Sequence, residues 1–222
     1  MRTDLGRAAA AASLVLALAG CGPAGDPSGD SPVEAGKPAA EALKDLERLP
    51  VKGRAPMTGF DRDEFGPAWA DVDRNGCDTR NDILKRDLEG ETFREGTHDC
   101  IVLTGTLHDP YSGRTIEFER GQKTSMAVQI DHVVALADAW QKGAQRLGEE
   151  RRRQLANDPL NLLAVDGPLN GQKSAADAAT WLPPRRAYRC PYVTRQIQVK
   201  AKYELWVTAA EKEAMERVLK SC

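Results

Sequence analysis

Apolar positions along this chain fall into short runs whose period changes from segment to segment. Residues 38–48 (PAAEALKDLER) alternate apolar and charged positions at helical spacing and predict a short amphipathic helix. Residues 78–88 (DTRNDILKRDL) predict another, with Gly90 just past its end. Two strand-like runs, 100–107 (CIVLTGTL) and 114–119 (RTIEFE), flank the turn-rich DPYSG and predict a hairpin. A third strand is expected over 126–134 (MAVQIDHVV). Residues 135–155 read as helical, with breaks at Gly143 and Gly148. A short apolar strand over 160–165 (LNLLAV) leads into the turn Asp166-Gly167-Pro168, followed by a helix over 169–179. Two further helices are expected over 187–203 and 208–220. Helices, then a few antiparallel strands, then mostly helices make an α+β order. No internal repeat is visible.

Composition narrows the class. The chain has 222 residues, 41% hydrophobic and 29% charged, which suits one domain with a real core. A collagen, a polytopic membrane protein and a fully disordered chain are excluded. A net charge of −2 argues against a strongly basic nucleic-acid packager but leaves room for a local basic face. Three histidines also limit the chemistry, because a site with three His ligands would use them all.

The first twenty residues read as a leader. Arg2 and Arg7 precede an apolar run over 8–19, too short for a permanent membrane span. The run ends in Leu18-Ala19-Gly20-Cys21, which resembles the bacterial lipobox. That resemblance implies cleavage before Cys21, lipidation of Cys21 and a protein anchored to a membrane only by its lipid; an ordinary secretory signal or a short anchor is the alternative. Each implies export. Residues 21–40 are rich in Gly, Pro, Ala, Ser and Asp and read as a flexible tether, leaving 41–222 as the folded domain. In an oxidising compartment the four remaining cysteines predict two disulfides. Of three pairings, Cys77–Cys100 and Cys190–Cys222 are favoured as nearest in the chain. A zinc site is disfavoured because there is no Cys-x-x-Cys pair.

The chemistry concentrates between Gln129 and Trp181. Asp131-His132 ends a strand-like run, where neighbouring side chains point to opposite faces, so both serve one site only if the strand ends or bulges there. Asn161 opens the next strand, and Asn170 and Lys173 share one face of the following helix at i,i+3 spacing. Each residue alone has an ordinary structural reading: a hydrogen-bonded Asp–His pair, a strand-edge Asn, a helix cap, a surface Lys. Their order and spacing together resemble the HNH endonucleases, the ββα-metal superfamily, over a core of 126–181. The resemblance implies a ββα-metal core with a β-hairpin and flanking helices. It implies His132 as general base, Asn161 as orienter, and Asp131 with Asn170 as oxygen ligands of Mg²⁺ or another divalent ion such as Mn²⁺. Asn170 stands where the motif's last His would be. The implied reaction is nucleic-acid phosphodiester hydrolysis, of DNA or RNA, with low sequence specificity. A His near its ordinary pKa accepts a proton from water, and a hard cation neutralises charge on phosphate.

Other features compete for attention. Asp71-Val72-Asp73-Arg74-Asn75-Gly76 resembles the start of an EF-hand loop, with Asp82 at position twelve; a structural Ca²⁺ on Asp71, Asp73, Asn75 and Asp82 is set against a plain Asx-turn loop. Lys173, Arg80, Arg185 and Arg186 are candidate phosphate contacts. From Trp181 to Tyr203 there are six basic residues and no acidic one, and Arg151-Arg152-Arg153 adds a second run. Such runs suit a phosphate backbone or a solvated face. His98 and His108 read as surface residues, and the four tryptophans as core. No protein partner is expected. Two other functions stay open: a non-catalytic nucleic-acid-binding lipoprotein with the nuclease fold, and a hydrolase of another surface phosphodiester polymer.

Overall fold

The computed structural model describes residues 39–222. The leader, Cys21 and the tether up to residue 38 lie outside the described residues.

Helix α1 (Ala39–Arg48) buries Ala42 and Leu46, one turn apart, against the last two helices. A 3-10 turn, Arg62–Phe65, follows. Helix α2 (Thr79–Asp87) starts where the Asp78 carboxylate accepts the Asn81 N–H at 2.9 Å. It does not run on to Gly90. The chain passes directly into β1 (Leu88–Phe93), where Gly90 sits at φ 62° beside a register shift between Glu89 and Thr92. LEGETF lacks apolar alternation, so this strand had no signature in the sequence.

Strand β1 pairs antiparallel with β2 (Val102–His108), which pairs with β3 (Thr115–Glu119). The β2–β3 hairpin expected around DPYSG is present. Its turn is closed by Gly113 N–H donating to Asp109 O at 2.8 Å, with Gly113 at φ 77°. A second sheet pairs β4 (Val128–His132) antiparallel with β5 (Leu162–Asp166), His132 opposite Leu162. Between them run α3 (Leu136–Gln141), a 3-10 turn at Ala144–Arg146 and α4 (Glu149–Asn157), broken near both glycines as expected.

Helix α5 (Gly167–Lys173) begins at the end of β5, its N-cap Asp166 accepting the Leu169 N–H at 2.9 Å. A Cβ on Gly167 would lie 2.0 Å from the Met126 carbonyl oxygen, so only glycine lets helix and strand entry approach this closely. The expected helix over 169–179 stops early. Ser174 takes φ 49°, and Asp177 turns inward to Lys142 and Arg54. Helices α6 (Arg189–Lys202) and α7 (Ala209–Lys220) complete the described fold.

The two-stranded sheet is covered on both faces. Leu163 and Val165 pack with α1, α6 and α7, whereas Leu162 and Ala164 pack with α2 and the three-stranded sheet. Two disulfides join Cys77 to Cys100 and Cys190 to Cys222, the pairing favoured from spacing. Each closes a loop that stabilises the fold by about 3–4 kcal/mol in the chain-entropy picture.

Candidate functional site

Strand β4 ends at His132, and its register with β5 is unbroken. Asp131 and His132 therefore face opposite sides of the sheet, and the structure does not bring the carboxylate and the imidazole to one face.

On one side, His132 Nε2 lies 2.8 Å from the Ala156 carbonyl oxygen at the end of α4. A carbonyl only accepts, so Nε2 carries the proton and Nδ1 keeps its lone pair. The Trp69 ring lies parallel to the imidazole, at 11° with centroids 6.0 Å apart. Burial pushes the His132 pKa down to about 4, against a pull upward from the Ala156 carbonyl; the charges of Arg62 and Lys173 lower it further. The ring is therefore neutral at physiological pH.

Asn161 is fully buried and fixes the turn that follows β4. Its Oδ1 accepts the Val134 N–H at 2.8 Å, and its Nδ2 donates to the Val134 and Leu155 carbonyls at 3.3 Å each. Since Leu155 immediately precedes Ala156, one side chain ties the strand end to the helix that holds His132.

On the other side of β4, Gln129 and Asp131 face α5. The buried Asp131 carboxylate accepts from Tyr111 Oη at 2.6 Å and from Lys173 Nζ at 2.9 Å. Lys173 Nζ also donates to His132 O at 2.9 Å and is buried, so its charge meets Asp131 rather than the surface. Burial raises the Asp131 pKa, while Lys173 and Tyr111 pull it back; burial and Asp131 hold the Tyr111 phenol well above its ordinary value. Asn170 Nδ2 donates to Gln129 Oε1 at 2.9 Å, leaving its amide oxygen as the donor atom for a cation. Carboxylate and amide oxygens are the donor set a hard cation prefers, so the residues fit such an ion chemically. The ammonium on Asp131 already supplies one countercharge. Among the described residues, no three His, Cys, Asp or Glu side chains cluster as a metal site.

Asp71, Asp73, Asn75 and Asp82 do come together. Asn75 Nδ2 donates to Asp73 at 3.1 Å and Asp82 at 3.0 Å, and the Gly76 N–H donates to Asp71 at 3.0 Å. Burial, with Asp73, Asp71 and Asp78 nearby, raises the Asp82 pKa. The loop is thus closed by its own amides. Arg80 is half-buried with its guanidinium 6.0 Å from the Phe118 ring centroid, and burial and Arg120 lower its pKa.

The basic runs do not form one stripe. Arg189 donates to Pro183 O, Arg195 to Leu160 O and Pro159 O, Lys202 pairs with Asp158 at 2.6 Å, and Lys200 is buried between Asp138 and Glu211. Arg151, Arg152 and Arg153 likewise bond protein oxygens. Backbone carbonyls left open between elements draw these side chains inward. Arg185 and Arg186 remain exposed. His98 and His108 are exposed as expected, Trp140 and Trp206 are buried, but Trp69 and Trp181 are only partly so. The sequence reading missed Tyr111, Gln129, Arg62 and the role of Trp69. An aromatic inside a polar turn was the only signal for Tyr111.

Comparison with known proteins gives two matches. The family model of the GmrSD restriction endonuclease C-terminal domain matches residues 78–218. An uncharacterized secreted protein of Arthroderma benhamiae is 35% identical over 186 residues, covering 83% of this chain and 86% of the relative. No solved structure matches.

Proposed function

The chain belongs to the family of the GmrSD restriction endonuclease C-terminal domain, and we propose that it is an HNH-type nuclease of the ββα-metal class acting outside the cytoplasm. One observation carries the reading: the His132 Nε2–H is committed to the Ala156 carbonyl, so Nδ1 is left as a neutral base at the end of β4. In this reading Nδ1 takes the proton of the attacking water, and Asn161 keeps strand end and helix in register. Asp131 and Asn170, on the α5 side of β4 and turned away from His132, would hold a Mg²⁺-like ion through oxygen, and that ion and the imidazole would share one phosphate only at the strand end, where the two faces meet. Lys173 supplies the countercharge that lets Asp131 stay ionised in a buried position. The secreted relative and the two disulfides support export. The lipid anchor at Cys21 is part of the same proposal.

Incubating the purified protein with plasmid DNA or RNA, in Mg²⁺ or in EDTA, tests this beside His132→Ala. Metal-dependent cleavage lost in His132→Ala is the expected result; undiminished cleavage by that variant overturns the mechanism. The pairing of Asp131 with Lys173 favours a second reading, a non-catalytic domain that binds nucleic acid. Salt-sensitive binding without cleavage in any divalent ion would select it.

A further inference from the structure

The family-matched residues do not enclose His132 by themselves. The segment 61–69 precedes the matched range 78–218, yet its Trp69 lies against the imidazole. Its 3-10 turn Arg62–Phe65 docks on α4: Arg152 donates to Glu64 O at 2.6 Å and pairs with the Glu64 carboxylate at 2.8 Å. Phe65 is buried with Trp140 and Leu155. Helix α4 is the same helix whose Ala156 carbonyl holds His132. Arg62 thus belongs to a turn docked on the helix that fixes the ring, on the same segment as Trp69. Arg62 is exposed and, among the described residues, no carboxylate pairs with it. Its neighbours on α4 are all committed to protein oxygens.

At the other end of the segment, Trp69 lies parallel to the imidazole. Its backbone is at φ 59°, disfavoured for a bulky side chain and kept only where the surroundings dictate it. The Thr79 N–H donates to Trp69 O at 3.4 Å, and Thr79 Oγ1 to Ala70 O at 2.5 Å, which ties the segment to α2.

We propose that Arg62 and Trp69 are positioning residues of the candidate nuclease site, the first for the substrate and the second for His132. Arg62 takes a phosphate of the nucleic-acid strand beside the bond served by His132, and Trp69 fixes the imidazole plane so that Nδ1 faces that bond. The proposal rests on the reading of His132 as general base. An exposed guanidinium without a partner matches phosphate in a two-pronged way that a lysine does not. The single bond from Nε2 sets one direction of the ring but leaves rotation about it, and a parallel indole removes that freedom.

The test uses the full-length protein and its Arg62→Gln, Trp69→Phe, Trp69→Ala and His132→Ala variants. Cleavage of a fluorophore–quencher oligonucleotide gives kcat and KM, and anisotropy in EDTA gives affinity against salt. Arg62→Gln is expected to raise KM about 10-fold more than it lowers kcat, and to reduce the salt slope by about one. Trp69→Ala is expected to lower kcat at least about 10-fold, with most of the loss restored in Trp69→Phe. Nitrogen-15 spectra should keep the Nε2–H tautomer in Trp69→Phe and show tautomer mixing in Trp69→Ala. Unchanged KM and salt slope in Arg62→Gln, or unchanged kcat in Trp69→Ala, overturn the proposal. Should His132→Ala cleave like the parent, the reading of the base itself fails; should it be inactive while the other variants match the parent, only the positioning roles fail.

Discussion

Acidification should expose the cost of keeping His132 neutral. Its pKa falls from 6.5 to about 4 on folding, so between those values the unfolded chain binds the proton and the folded chain does not. Stability is therefore whole above pH 6.5, declines as pH falls, and loses nothing more from this group below about 4. At about 1.36 kcal/mol per unit, the full loss is about 3 kcal/mol. Carboxylates titrate over the same range, so the measurement must be a difference. His132→Gln keeps an N–H for the Ala156 carbonyl and removes the titration. Urea unfolding of parent and variant, followed by tryptophan fluorescence from pH 7.5 to 4, should show the parent losing about 3 kcal/mol more. With a slope of about 2 kcal/mol/M, its midpoint falls about 1.5 M further than the variant's. Asp131 titrates in both proteins and cancels. The same neutral ring sets the acid limb of kcat/KM nearer to pH 4 than to 6.5. A stability difference flat with pH to within about 1 kcal/mol would refute the burial argument.

Four further outcomes follow from named contacts. Lys142→Met leaves Asp138, Asp177 and Glu211 without the ammonium that lies 2.7 Å from each, at a cost of about 3–5 kcal/mol and a Tm lower by about 10 °C by calorimetry; a fall under about 3 °C contradicts this. Gly167→Ala drives a methyl into the Met126 carbonyl and should cost about 1–3 kcal/mol in urea unfolding, with cleavage reduced. Asn161→Ala leaves the Val134 N–H buried and unpaired, costing about 1–3 kcal/mol and lowering kcat beyond what the unfolded fraction explains. Reductant should lower Tm by more than about 10 °C through loss of the two disulfides, read by the same scan.

The legibility of this chain differs by element. The β2–β3 hairpin, the breaks at Gly143 and Gly148 and the last two helices followed from period and from glycine, because their signals are local. β1 did not, since a polar strand gains its partners from β2 and leaves no alternation of its own. The early end of α5 was equally hidden, because Asp177 leaves the helix for a lysine thirty-five residues away. Within the candidate site, motif order picked out residues that the structure places around β4, while the partners each one faces were not legible. The alternation of β4 sends Asp131 to Tyr111 and sends His132 to Ala156, and neither partner is near in sequence. Tyr111 sits in a turn and Ala156 acts through its backbone, so composition marks neither.

The buried charges explain why a chain of net charge −2 need not show a basic face. Arg54, Lys142 and Lys200 meet Asp138, Asp177 and Glu211 in one largely buried cluster, three cations against three anions. Burial works against the charge on Lys200, yet Asp138 and Glu211 outweigh it and raise its pKa; on Asp138, burial is outweighed in turn by Lys200, Lys142 and Arg54. The cluster joins α3, α6 and α7 to the loop after α5. Because α3 starts four residues after His132, its fixed position also fixes the turn held by Asn161. Lys200 is thereby withdrawn from the basic run of 181–203, and backbone carbonyls take Arg189 and Arg195. What that run leaves exposed and without a protein oxygen, among the described residues, is Arg185 with Arg186, just ahead of α6. A run reduced to these two cations, with Arg62 at the candidate site, predicts a shallow salt dependence, with a slope of a few units rather than about ten, and binding that relies on the site's own geometry.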